Sequence, residues 1–109
     1  MEKYINNYNN YKDTIVYNFD LGNGGIGDYL KFFMIILEYC MDNNIRFYHK
    51  INNIQIEKYI KLKYEIMDIT QEQLSKLDNF IIKTPYDYYT NCYYNYSLNF
   101  DELFFFDDI

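Results

Sequence analysis

The alternation of apolar and polar positions predicts strands separated by helices. Segments 14–21 and 45–51 alternate with the two-residue period of a β-strand, and 14–21 is apolar enough to be buried on both faces. Between them, from Ile26 or Gly27 to about residue 42, apolar residues recur every three or four positions and cover most of the helix circumference. This segment is therefore predicted to be a deeply buried helix, ended by the turn-forming Asp-Asn-Asn at 42–44.

Shorter patterns extend the alternation. Residues 52–64 begin with Asn at a plausible cap position and favour a short surface helix, and 64–69 has the composition of a third strand. Thr70 followed three residues later by Gln73 forms a capping box before a short helix at 71–79. Residues 80–85 predict a fourth strand, which the chain's one proline ends.

Strands alternating with helices are typical of a parallel sheet with helical crossovers. We therefore predict one three-layer, Rossmann-like α/β domain over residues 13–109, with a short, mainly parallel sheet of about four strands in the order 3-2-1-4. Residues 1–12 are rich in Asn and Tyr and predict a flexible leader. Residues 86–109 form an aromatic C-terminal tail with little periodicity until Asn99, which could cap a terminal turn.

Length and charge exclude several classes of protein. The 109 residues suffice for one core but not for two domains. A net charge of −6 disfavours nucleic-acid binding, and the longest unbroken apolar run, Phe32–Leu37, is far shorter than the roughly 18 residues of a membrane span. Cys40, Cys92 and the single histidine lack the spacing of a metal site or a disulfide framework. These features favour an intracellular, cytoplasmic setting without a metal or a resident cofactor.

All four glycines of the chain lie in the stretch LGNGGIGD, residues 21–28. The remaining composition, with no alanine, one valine and one arginine, indicates drift toward A- and T-rich codons, so these glycines were retained against the drift. Gly22, Gly24 and Gly27 match G-x-G-x-x-G between a predicted strand and a predicted helix, where backbone N–H groups and the helix dipole favour an anion. The candidate phosphate-binding residues are the six of the turn, Gly22, Asn23, Gly24, Gly25, Ile26 and Gly27. The alternative is a tight strand-to-helix connection without a ligand.

The second predicted strand supplies two more candidate ligand-binding residues, His49 and Lys50. A nicotinamide or flavin site requires an acidic residue at this strand end to bind the ribose, and none occurs from Asn43 to Gln55. A dinucleotide-dependent dehydrogenase is therefore disfavoured. The alternative for His49 is a partly buried ring whose nitrogens are satisfied by neighbours.

The segment GGIGDYLKFFMIILEYCMDNNIRFYHK resembles the first strand-turn-helix-strand unit of GT-B glycosyltransferases, especially the fucosyltransferase-like families. It is similar as well to the "IGD" opening of heptosyltransferases. The resemblance covers residues 14–51 and implies a domain that binds a nucleotide sugar or phosphosugar. It also implies that Asp28 faces the catalytic cleft, as the base for the acceptor hydroxyl. Asp20, after the first strand, is a second candidate catalytic residue, while helix capping by Asp28 and turn formation by Asp20 are the alternatives.

The resemblance omits the Arg-rich C-terminal domain with which those enzymes bind the sugar nucleotide. The chain could be a truncated relative, a module completed by another chain, or a protein that kept the fold without the chemistry. The rival function is a non-catalytic accessory protein that binds a protein partner or a second copy through its aromatic tail, above all through Phe104–Phe106. The composition also resembles small proteins of AT-rich large DNA viruses, which would place the chain in an infected cell or a virion.

Overall fold

A parallel sheet packed against one long helix forms the centre of the molecule. The computed structural model describes residues 1–20, 25–51, 60–87 and 96–106. Its helices and strands, in chain order, are α1 (Glu2–Asn6), β1 (Asp13–Phe19), α2 (Ile26–Asp42), β2 (Ile45–Ile51), β3 (Ile60–Leu62), α3 (Gln71–Ser75), β4 (Ile81–Lys83), α4 (Phe100–Leu103) and β5 (Phe104–Phe106). Short 3-10 turns occur at Tyr8–Asn10, Glu65–Met67 and Pro85–Asp87. No helix within these ranges has the length and apolar character to span a bilayer.

The sheet has the order β2-β1-β4, and both neighbours of β1 run parallel to it. Strand β1 lies in the centre, and its side chains Val16, Tyr17 and Phe19 are buried, as expected of a strand covered on both faces. The predicted α/β class and the parallel sheet are therefore confirmed.

Helix α2 extends over 17 residues and has the predicted bounds. Its apolar stripe buries eight side chains, which are Tyr29, Phe32, Phe33, Met34, Ile35, Ile36, Leu37 and Cys40. Asn43 follows the helix with its N–H bonded to the Tyr39 carbonyl, and Asn44 adopts a φ of 55°, a left-handed conformation that asparagine tolerates. The sharp turn returns the chain directly into β2.

The predicted third strand at 64–69 is replaced by a 3-10 turn and a single parallel bridge between His49 and Asp68. The bridge lies on the outer edge of β2. This agrees with the predicted order 3-2-1-4, in which the third predicted strand lies beside the second. A full strand does not form because residues 60–62 pair instead with β5, in a separate antiparallel two-stranded sheet, and the Lys63 N–H reaches the Leu103 carbonyl at 2.7 Å. Within the described part of the chain, the sheet therefore has three strands rather than about four.

The first twelve residues, predicted to be a flexible leader, contribute side chains to the core. Tyr4 and Tyr8 are buried in the core, and the Tyr4 hydroxyl accepts a hydrogen bond from the Phe47 N–H at 2.9 Å and donates to the Ile45 carbonyl. The Arg46 guanidinium donates to the Tyr8 carbonyl at 3.0 Å. A polar, Asn-rich composition is compatible with packing here because two aromatic side chains carry the contact.

The smaller predictions have mixed outcomes. The capping box is confirmed: the Gln73 N–H donates to Thr70 Oγ1 at 3.1 Å, and the Thr70 N–H donates to Gln73 Oε1 at 3.0 Å. Of the predicted helix at 52–64, residues 52–59 lie outside the described ranges and 60–62 form β3. Asn99 precedes α4 as predicted, although no side-chain capping bond is present.

Candidate functional site

The predicted glycine turn lies between the carboxyl end of β1 and the amino terminus of α2. Gly25 immediately precedes the first helical residue, Ile26, and residues 25–28 are all exposed. Of the predicted phosphate-binding residues, Gly22, Asn23 and Gly24 lie outside the described residues. The described half of the turn therefore presents the start of a 17-residue helix to solvent.

The fold itself does not require glycine at the two described positions. Gly25 has φ −92° and ψ −170°, an extended conformation open to any residue. A Cβ atom added at Gly25 or at Gly27 would meet no neighbouring atom within 4 Å. Open space at the helix start is what a ligand needs in order to approach backbone N–H groups.

Asp28 caps the helix. Its carboxylate Oδ2 accepts a hydrogen bond from the Gly25 N–H at 3.3 Å, and a negative charge in the first turn is stabilised by the helix dipole. The bond uses one of the turn's N–H groups and places an anion beside the others. The N–H groups of Ile26 and Gly27 have no carbonyl one turn earlier within the helix. With the Asp28 N–H, which lies beside its own carboxylate, they are the described donors left for an incoming anion.

Asp20 and Lys50 lie at the same edge of the sheet as the helix start. Asp20 is exposed just beyond β1 and accepts a hydrogen bond from Asn18 Nδ2 at 2.9 Å. The parallel register places Asn18 beside Lys50, whose ammonium donates to Gln71 Oε1. Because parallel strands end at one edge, the sheet brings these charged residues to the same end of the fold as Gly25, the end at which open α/β sheets bind ligands.

His49 is buried and bonded through both ring nitrogens. Its side chain is 5% exposed, with Nδ1 at 2.9 Å from the Tyr29 hydroxyl and Nε2 bonded to the Asp68 carboxylate. One hydrogen bond therefore joins Nε2 to the Asp68 carboxylate and a second joins Nδ1 to the Tyr29 hydroxyl. Tyr17 donates its hydroxyl to the Tyr29 carbonyl at 3.0 Å. The geometry is that of a satisfied ring, and contact of His49 with a ligand stays a prediction.

Tyr29 and Asp68 were not among the sequence candidates for this site. Tyr29 follows Asp28 in the first turns of α2, and Asp68 is the residue that bridges to β2. The predicted strand order, which places segment 64–69 beside 45–51, was the signal that could have paired Asp68 with His49. Together these side chains tie the start of α2 to the far edge of the sheet.

Among the described residues, no group of three or more His, Cys, Asp or Glu side chains is arranged to hold a metal ion. Comparison with protein-family models, with curated proteins and with solved structures finds no match. The likeness to glycosyltransferases therefore depends on the residues of segment 14–51 alone.

Proposed function

We propose that the chain is a Rossmann-like, glycosyltransferase-like domain that binds the phosphate of a nucleotide sugar or phosphosugar at the glycine turn. The observation that supports it most directly is the exposed amino terminus of α2, where the space beside Gly25 and Gly27 is open although the fold does not require glycine there. A helix terminus at the carboxyl edge of a parallel sheet combines free N–H donors with the positive end of the helix dipole.

The described donors set the expected affinity. Each hydrogen bond from a backbone N–H to a charged phosphate oxygen contributes about 1.5–3 kcal/mol. Two such bonds, from Ile26 and Gly27, give about 3–6 kcal/mol, which corresponds to a dissociation constant of roughly 50 μM or weaker. Ligand concentrations in the millimolar range are therefore needed to detect binding.

Asp28 has opposite effects in its two roles. As a helix cap it repels a phosphate, so Asp28→Asn should strengthen phosphate binding while keeping a side-chain acceptor for the Gly25 N–H. As the base that deprotonates an acceptor, it would be required for glycosyl transfer, and the same substitution would abolish turnover. Binding and transfer measured on one variant thus separate the two roles.

Thermal-shift measurements and calorimetry against GDP, UDP and ADP sugars and inorganic phosphate test the proposal. A ligand at ten times its dissociation constant should stabilise the protein by about 1.4 kcal/mol, or about 6 °C at this chain length. Gly25→Val should lose this shift, because its side chain fills the open space that the ligand needs, and should lower the unliganded Tm only by the small cost of valine at a helix N-cap. A flat response of the wild-type protein to the whole panel would reject phosphate binding.

The second candidate function is protein interaction through the tail, and exposed aromatic residues favour it. Phe105 is 58% exposed and Phe106 43%, whereas Phe104 packs against Phe33 with ring centroids 4.8 Å apart. The described tail residues leave residues 25–28 exposed, so the two functions are compatible in one molecule. Sedimentation of the wild type and of Phe105→Ser tests for a second copy at this surface: loss of an oligomer in the variant supports it, and a monomeric wild type counts against it.

A further inference from the structure

A large groove lies at the end of the fold opposite the glycine turn. It encloses about 1300 Å³ between the carboxyl half of α2 and the first residues of β1 and β4. Its apolar walls are formed by Ile15, Ile35, Tyr39, Ile81 and Tyr96. This volume exceeds the range typical of small-molecule sites and suits a length of polypeptide.

The two edges of the three-stranded sheet differ. At the outer edge of β2, the Tyr4 hydroxyl bonds to the Ile45 carbonyl and the Phe47 N–H, and the Ile69 N–H donates to the His49 carbonyl at 3.2 Å. These contacts occupy three of the backbone groups that an added strand would use. The edge of β2 is thereby protected against pairing with another chain.

Strand β4 forms the other edge and, among the described residues, pairs only with β1. It exposes apolar side chains on both faces: Ile81, which lines the groove, is 58% exposed, and Ile82, on the opposite face, is 52% exposed. Native proteins usually place charges or proline on such an edge, because an exposed apolar edge is a template for strand addition.

The groove is strongly acidic. Its lining contains the carboxylates of Asp13, Glu38, Asp42 and Asp87 against one ammonium, that of Lys83, and none of the four carboxylates forms an ion pair with a described Lys or Arg. Asp42 is the last residue of α2, where the negative end of the helix dipole makes a carboxylate unfavourable. Glu38 accepts from the Ser97 N–H at 2.9 Å and Asp87 from the Thr84 N–H at 2.7 Å, but neither neutral donor cancels the negative charge, so the field of the groove favours a cationic occupant.

We propose that the groove binds an extended segment of a partner protein in which basic and apolar residues alternate, added as a strand to the free edge of β4. Ile81 and Lys83 face the groove and Ile82 faces away from it. A strand beside β4 would then direct its basic side chains toward the carboxylates and its apolar side chains beside Ile82. Backbone pairing supplies affinity, and the alternation supplies specificity.

A second copy of this chain is a poorer occupant. Pairing β4 with its own copy would bring two sets of groove carboxylates together, in a protein whose net charge is already −6. Like charges placed across an interface suppress association. The charge pattern therefore selects a basic partner over self-association.

Fluorescence anisotropy with a labelled octapeptide of alternating Lys and Val, added to the full chain, tests the proposal. We expect saturable binding that weakens with salt, and about two- to fivefold weaker binding for each carboxylate removed in Asp13→Asn and Asp42→Asn. Asp101→Asn, at an exposed position on α4 outside the groove lining, is the matched control and should bind as the wild type does. A Glu-Val peptide and a Lys-Val peptide N-methylated at alternate residues should both fail to bind.

Any one of four outcomes would overturn the proposal. Absence of saturable binding to the folded wild type would show that the edge is not available to a peptide. Equal binding of the N-methylated peptide would replace strand addition by simple charge attraction, and unchanged binding in the double variant Asp13→Asn/Asp42→Asn would place the site elsewhere. Self-association that Ile81→Lys abolishes would identify a second copy as the occupant.

Discussion

Removal of one hydroxyl at the amino terminus should destabilise the whole domain. The Tyr4 hydroxyl is the partner of two backbone groups of β2, accepting from the Phe47 N–H at 2.9 Å and donating to the Ile45 carbonyl. In Tyr4→Phe the ring can stay in place, so the core volume is almost unchanged. The Phe47 N–H then loses its partner at a site too buried for water to replace it.

The magnitude follows from the two orphaned groups. An unsatisfied buried donor or acceptor costs about 1–3 kcal/mol, and the Ile45 carbonyl, which is only partly buried, lies at the low end of that range. The expected loss is about 2–4 kcal/mol of unfolding free energy. At this chain length it corresponds to roughly 8–16 °C in Tm.

Tyr8→Phe is the matched control because Tyr8 belongs to the same aromatic cluster, with its ring edge-on to Tyr4 at 5.6 Å. Its hydroxyl is buried and has no hydrogen-bond partner among the described residues. Removal of that hydroxyl should leave stability unchanged or raise it by up to about 1 kcal/mol. Urea denaturation of both variants, followed by circular dichroism, measures the difference. Equal destabilisation in the two variants, or none in Tyr4→Phe, would refute the assignment of the amino terminus to the core.

Three further predictions concern other parts of the fold. Gly27→Ala should raise the unfolding free energy by about 0.5 kcal/mol in urea denaturation, because alanine favours a helix and a Cβ there meets no atom within 4 Å; a loss would show that the space is not open. Tyr29→Phe should cost about 1–2 kcal/mol by orphaning His49 Nδ1, and a double-mutant cycle with His49→Leu should show coupling of at least about 0.5 kcal/mol, whereas additive losses would contradict the bond. Burial raises the pKa of the Cys40 thiol from 9.0 to about 12 and that of the Tyr4 hydroxyl well above 10.0, so the unfolded chain releases these protons first. The unfolding free energy should therefore be constant below about pH 9 and fall above it, by about 1.4 kcal/mol per pH unit for each group that ionises only on unfolding. Urea denaturation at a series of pH values measures this fall. An unfolding free energy that stays constant up to about pH 10.5 would contradict the prediction.

Elements whose stability comes from their own pattern could be predicted from the sequence. Helix α2 and strand β2 have the predicted bounds because their apolar periodicity is long and their turn residues, such as Asn44, are locally decisive. The capping box of Thr70 and Gln73 is likewise a contact between near neighbours. For the candidate site, the strand-turn-helix position of Gly25 and Gly27 and the first-turn position of Asp28 followed from the same local patterns.

Elements that depend on distant contacts could not be predicted in this way. Segment 64–69 alternates like a strand, and Met67 and Ile69 are buried, but pairing of the preceding residues with β5, some 40 positions later, bends the chain into a turn. In the sequence, residues 1–12 look like a polar leader. The contact that holds them in place joins Tyr4 to Phe47 on β2, 43 positions later, and a local pattern does not show it. At the site, His49 packs against the rings of Tyr29 and Phe33, and the Asp68 carboxylate reaches it only through the folded topology.

One helix connects the two proposed binding surfaces and gives them opposite charge preferences. The dipole of α2 makes its first residues favourable for an anion and its last residues favourable for a cation. At the first end the glycine turn adds open N–H groups, and at the second end Glu38 and Asp42 reinforce the negative potential. A phosphate and a basic peptide should therefore bind at opposite ends of the sheet without competing. Gly25→Val should affect only the phosphate, and Asp42→Asn only the peptide; if either variant altered both affinities, the two surfaces would not be the separate sites that this polarity implies.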